Sequence, residues 1–142
     1  MEIVICKDPQ DVGKVAADRV ISYLEGLPTP VIGLATGSSP LALYEELARR
    51  VEAGTFDFSH GLGFALDEYV GIDPAHPESY ASVINRTVTV PLRMDPERVR
   101  VPDGAAADPQ AAADGAEAVD GNLHGSVYAV AQIIEAVLGL CH

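Results

Sequence analysis

Short apolar runs alternate with longer stretches of helical period through the first hundred residues, the pattern of a sheet wrapped by crossover helices and so of an α/β fold. Ile3-Val4-Ile5 predicts a first strand. Asp8 is placed to cap a helix with Pro9 at its first position. Val12, Val15, Ala16, Val20, Tyr23 and Leu24 then recur at helical spacing until Gly26 and Pro28 stop it. Val31-Ile32-Gly33-Leu34 is too short for a helix and predicts a second strand. Ala35 to Ser39 break that run, and Pro40 opens a second helix with Leu41, Tyr44, Leu47 and Ala48 on one face and an end near Gly54. Leu62 to Leu66 predicts a third strand running into Asp67-Glu68. Past Pro74 and Pro77, a third helix is expected over Ser79 to Val88 through Tyr80, Val83, Ile84 and Thr87. A short fourth strand is expected at Val99 to Val101, before the Pro102-Asp103-Gly104 turn.

Composition divides the chain there. Residues 1–104 hold 16 of the 21 acids and all 9 basic residues, whereas the last 38 residues hold 5 acids, no Lys or Arg and 11 alanines. Residues 1–104 therefore read as an α/β domain and 105–142 as an atypical Ala-rich, apolar tail. Within the tail, Asp108 to Val119 predicts a weak helix broken at Gly115, and Tyr128 to Leu138 one that is apolar nearly all round. Such a shift in composition marks either a separate segment or one of different origin.

A formal net charge of −12, with no basic cluster beyond Arg49-Arg50, argues against a surface that tracks nucleic acid or anionic lipid. No apolar run reaches the length of a membrane span, and no basic region followed by an apolar core opens the chain. Cys6 and Cys141 form no framework, which points to a reducing compartment and a cytoplasmic protein. Asn85-Arg86-Thr87 matches a glycosylation sequon by chance in such a setting.

Two segments carry candidate chemistry. Gly33-Leu34-Ala35-Thr36-Gly37-Ser38-Ser39-Pro40 joins a strand, a small-residue loop and a helix start. Unpaired amides at a helix start form an anion site that small side chains leave open, and Thr36, Ser38 and Ser39 add hydroxyls. A plain turn with Ser39 as N-cap explains the same residues; neither a Walker loop nor a dinucleotide fingerprint is present. The second segment is Phe64-Ala65-Leu66-Asp67-Glu68-Tyr69-Val70-Gly71. Carboxylates that end a parallel strand face the ligand edge of the sheet. Neighbouring side chains cannot share one direction, so one of Asp67 and Glu68 faces a site and the other a structural partner. A partly buried carboxylate there suits proton abstraction beside a carbonyl; an acidic helix cap or solvated loop is the alternative. His60 reads as a loop residue, His76 as a loop-ordering or surface residue, and no His, Cys or acid spacing suggests a metal, a cofactor or a covalent nucleophile.

Together, the Gly33 to Pro40 segment, Leu66-Asp67-Glu68-Tyr69-Val70-Gly71 and His76-Pro77-Glu78-Ser79-Tyr80 resemble the glucosamine-6-phosphate deaminase (isomerase) family over about residues 1 to 110. The resemblance implies an open, mostly parallel, Rossmann-like sheet with helices on both faces, incomplete in this chain. It also implies a cofactor-free, metal-free conversion of glucosamine 6-phosphate to fructose 6-phosphate and ammonia, in amino-sugar metabolism and N-acetylglucosamine catabolism. By resemblance Asp67 is the base that moves a proton between C2 and C1 through an enediol. Thr36, Gly37, Ser38 and Ser39 hold the phosphate, while Glu68, Tyr69 and Tyr80 lie near the site. The family also implies a homo-oligomer, and the activity is grouped with the hydrolases.

The related lactonases, which hydrolyse 6-phosphogluconolactone on a similar fold, usually carry Arg where Tyr69 stands, so Tyr69-Val70-Gly71 resembles the deaminase branch. Family members run to roughly twice this length. Their further half carries an Asp-Gly-His-Ile segment, another Glu and phosphate-gripping cations; Asp120-Gly121-Asn122-Leu123-His124-Gly125 echoes it too faintly for a role to pass to Asp120 or His124. Little deaminase activity is therefore expected of this chain alone. The alternatives are a 6-phosphogluconolactonase-like hydrolase, a non-catalytic sugar-phosphate-binding fragment, and a piece that folds poorly for want of half its sheet.

Overall fold

The computed structural model describes residues 3–107, so both helices expected in the tail lie outside the described residues. Three strands, β1 (Val31–Leu34), β2 (Leu62–Ala65) and β3 (Val99–Arg100), form one parallel sheet in that order. Parallel neighbours need crossover connections. Helix α2 (Leu41–Glu52) supplies the one between β1 and β2. Helix α3 (Tyr80–Ile84), running into a π-helical turn at Asn85–Thr89, supplies the one between β2 and β3. Helix α1 (Pro9–Leu24) precedes them. All four β1 residues are buried, so neither face of that strand meets solvent, as expected for an unbroken apolar run in a parallel sheet.

Helix α1 begins as its sequence requires: Pro9 is at the start and the Asp8 carboxylate accepts a hydrogen bond from the Asp11 amide at 2.8 Å. Its buried face is Gly13, Ala16, Ala17, Val20, Ile21 and Leu24, turned slightly from the expected stripe and leaving Tyr23 exposed. The face is small because α2 lies against it, and a Cβ on Gly13 would stand 2.4 Å from the Ala42 carbonyl oxygen. Midway along α2, the buried Glu46 carboxylate accepts from Arg49 and Arg50 of the last turn, and Arg50 also reaches Asp18 on α1 at 2.7 Å. Ile32, Leu34, Leu47, Phe58, Ile84, Val88 and Leu92 fill the core between these elements.

Two expected elements differ. Ile3-Val4-Ile5 forms no strand, and Ile3 and Ile5 are exposed at 63% and 94%. A three-residue apolar run is a strand only when a neighbour completes its ladder, and no described strand pairs with it. The helix expected over Ser79 to Val88 starts on schedule, with the Ser79 hydroxyl accepting from the Ser82 amide, but it widens after Ile84. Pro91 explains the change: it has no N–H, and its ring pushes away the carbonyl four residues back. The Val90 amide bonds instead to the Asn85 carbonyl, five residues back.

Candidate functional site

The register Leu34↔Ala65 ends β1 and β2 side by side, so the chains leaving them emerge on the same edge of the sheet, strands about 5 Å apart. Thr36 stands two residues past the end of β1 and Asp67 two past the end of β2. Parallel pairing thus joins two segments that lie 31 residues apart in sequence, as ligand sites of open α/β sheets require.

The first segment turns at once. Thr36 is half-buried and Gly37, Ser38 and Ser39 are exposed, while Pro40 is buried and caps α2 without a side-chain bond. Ser39 is therefore not the N-cap, which removes the plain-cap explanation of its hydroxyl. Gly37 has φ +106°, a conformation that side chains rarely adopt, and space is open around its Cα. Below the turn, the Tyr44 hydroxyl of α2 donates to the Ala35 carbonyl at 2.9 Å and accepts from the Ala35 amide at 3.0 Å.

The second segment separates its two carboxylates. Asp67 is exposed, not partly buried as expected, and makes no hydrogen bond among the described residues. Glu68 turns the other way and accepts from the Tyr80 amide at 3.0 Å, the Ala81 amide at 2.9 Å and the Tyr69 amide at 2.9 Å. Glu68 is thus the structural partner, tying the strand end to the start of α3. The Tyr69 and Tyr80 hydroxyls share a hydrogen bond at 3.2 Å, with the rings 4.7 Å apart. That hydrogen bond holds the Tyr69 phenol above its ordinary range, and the charges of Asp67 and Glu68 push it in the same direction.

The loop between these residues is tied throughout. The Asp73 carboxylate accepts from Ala75, His76 Nδ1 accepts from the Glu78 amide, and Ser79 and Ser82 both donate to the Pro74 carbonyl. His76 is thus both exposed and loop-ordering. The Gly71 amide donates to the Gly104 carbonyl at 2.6 Å, and a Cβ on Gly104 would stand 2.2 Å from the Tyr69 carbonyl oxygen. The turn after β3 therefore presses on the turn after β2. Sequence reasoning missed Gly104 and Tyr44 as shapers of the site: Gly104 had only a turn signal, and Tyr44 falls on the apolar face of α2 like any core residue.

This architecture, with both segments on the carboxyl edge of a parallel sheet, is the fold of the deaminase and 6-phosphogluconolactonase structures. A solved monomeric glucosamine-6-phosphate deaminase aligns at TM-score 0.80 and 27% identity, covering 87% of this chain and 52% of that one. A 6-phosphogluconolactonase from Plasmodium vivax aligns at TM-score 0.63 and 22% identity over 85% of this chain and 43% of that one, a likeness of fold alone. No family model matches the chain.

Among individual proteins, the glucosamine-6-phosphate deaminase of Pseudarthrobacter chlorophenolicus is 52% identical over 118 residues, 83% of this chain and 45% of the relative. That of Cutibacterium acnes is 47% identical over 112 residues, 79% of this chain and 43% of the relative. Over most of its length the chain is similar to the N-terminal part of glucosamine-6-phosphate deaminases. It spans less than half the length of these relatives.

Grouping the chain with the hydrolases is corrected by these matches: its relatives are named deaminases, and the lactonases share only the fold. Among the described residues, no helix is long and apolar enough to cross a membrane.

Proposed function

We propose that this chain provides the sugar-phosphate loop and the isomerising base of a glucosamine-6-phosphate deaminase. The observation that carries the reading is the Leu34↔Ala65 register, which sends Thr36 to Ser39 and Asp67 out of one edge of the sheet. The amides and hydroxyls of Thr36, Gly37, Ser38 and Ser39 take the phosphate, assisted by the start of α2. Asp67, free of hydrogen bonds among the described residues, accepts the C2 proton of the open-chain sugar and returns it at C1. Water replaces the amine as ammonia leaves, giving fructose 6-phosphate. The proton shuttle needs no metal or cofactor. Glu68 holds the loop while Tyr69 and Tyr80 border the site.

The same reading makes this a cytoplasmic protein of amino-sugar breakdown that self-associates. Since a structural neighbour is described as a monomeric deaminase, sedimentation of the chain at several concentrations decides that point, and a single monomer species would refute self-association. For the chemistry, glucosamine 6-phosphate is incubated with the chain in D2O, and deuterium at C1 and C2 and fructose 6-phosphate are followed by NMR. Exchange that disappears in Asp67→Asn supports the proposal; exchange that survives there removes Asp67 as the base. A rise in melting temperature with the ligand but no exchange leaves a sugar-phosphate-binding module.

A further inference from the structure

Ala35 is the first residue past β1, where the sheet ladder stops and the chain must turn toward Thr36 and Gly37. Its amide and carbonyl both need partners, since a backbone polar group taken out of water without a hydrogen bond destabilises the fold. One side chain satisfies both: the Tyr44 hydroxyl, 2% exposed as a residue, accepts from the Ala35 amide and donates to its carbonyl. A hydroxyl has the donor and acceptors to do this from one atom, and so replaces the neighbouring strand at this position. Tyr44 sits one turn into α2, on the helix whose start the loop must meet. The contact therefore sets both where β1 ends and how the next residues approach α2. Burial pushes the Tyr44 phenol up to about 12, against the opposing effect of the Ala35 hydrogen bond, so the hydroxyl keeps its proton across the working pH range.

We infer that Tyr44 is a positioning residue for the anion loop: by gripping both backbone groups of Ala35 it holds Thr36 to Ser39 in the conformation that presents their amides to a phosphate. The inference rests on the sugar-phosphate reading above for its ligand, but the conformational claim does not need the ligand. An indifferent apolar contact would have been served equally by Phe, which would fill the same core beside Leu47 and leave Ala35 unpartnered.

Tyr44→Phe removes one oxygen and keeps the packing, and Leu47→Val, from the same helix, lowers packing without touching Ala35. Amide exchange in the ligand-free proteins and titrations with inorganic phosphate and with glucosamine 6-phosphate are compared. In Tyr44→Phe the amides of Thr36, Gly37 and Ser38 should exchange about tenfold faster, with other regions little changed. Its dissociation constants for both ligands should rise by a similar factor of about ten, one lost hydrogen-bond pair's worth. Leu47→Val should keep both the loop and the affinities. Wild-type loop exchange in Tyr44→Phe overturns the inference, as does equal loosening in Leu47→Val. Failure of the wild type to bind either ligand sinks the sugar-phosphate reading, while the exchange rates still decide the role of Tyr44.

Discussion

The Glu68 carboxylate reaches across the strand-end loop to the Tyr80 amide at 3.0 Å and takes the next amide, Ala81, with its other oxygen at 2.9 Å. Two orphan donors at the start of α3 are thereby satisfied by a residue twelve positions earlier, and the backbone next to Asp67 is fixed to a helix. Glu68→Ala should cost about 1.5–3 kcal/mol of stability, the range for hydrogen bonds to a charged group. Glu68→Gln, which keeps one acceptor oxygen, should cost less. Urea midpoints of the three proteins measure this, and an unchanged Glu68→Ala midpoint would show the tie to be idle.

Glu46 makes stability depend on pH in acid. Its hydrogen bond from Arg49, then that from Arg50, brings its carboxyl down to about 2 against the opposing effect of burial. A group whose folded value is lowered contributes stability that is present above its ordinary value, near 4.5, and lost as pH falls from there toward 2. Glu46→Gln should therefore be less stable than the wild type at pH 7 by about 1–2 kcal/mol, with Arg49 largely solvent-screened. The gap should close as pH falls from 4.5 toward 2. A gap that stays constant in urea titrations across this range would exclude the ion pair as its source.

Gly13→Ala sets two effects against each other. Helix propensity favours Ala by about 1 kcal/mol. The new Cβ, however, would meet the Ala42 backbone oxygen at 2.4 Å, which can give way only by separating α1 from α2. Overpacking of this kind costs about 1–3 kcal/mol, so the clash should win and the melting temperature fall. Stabilisation would mean that the helices can part freely.

Arg93→Gly should act in the other direction. Arg93 has φ 55°, and the bonds from the Arg93 amide to Val90 and from the Met94 amide to Thr89 form the helix-ending pattern that favours glycine. Relief of the side-chain strain at this φ, less the added freedom of glycine in the unfolded chain, should raise stability by about 0.5–1 kcal/mol. Thermal unfolding reads the sign, and a loss would mean that the Arg93 side chain contributes more than its backbone costs.

Local pattern sufficed wherever the deciding interactions lie within one turn or one strand. Asp8 and Pro9 start α1, unbroken apolar runs make β1 and β2, and Ser79 starts α3, because caps and periodicity act over a few residues. The strand ends that lead to Thr36 and Asp67 were legible for the same reason, each closing an apolar run. Tertiary structure alone decided that those ends share an edge, that Glu68 and not Asp67 takes the backbone of α3, and that Tyr44 serves Ala35 rather than only filling the core. It also left Ile3 to Ile5 without a strand. Each of these outcomes depends on which distant atom completes a hydrogen bond or a ladder, and the spacing of residues along a chain does not encode that partner.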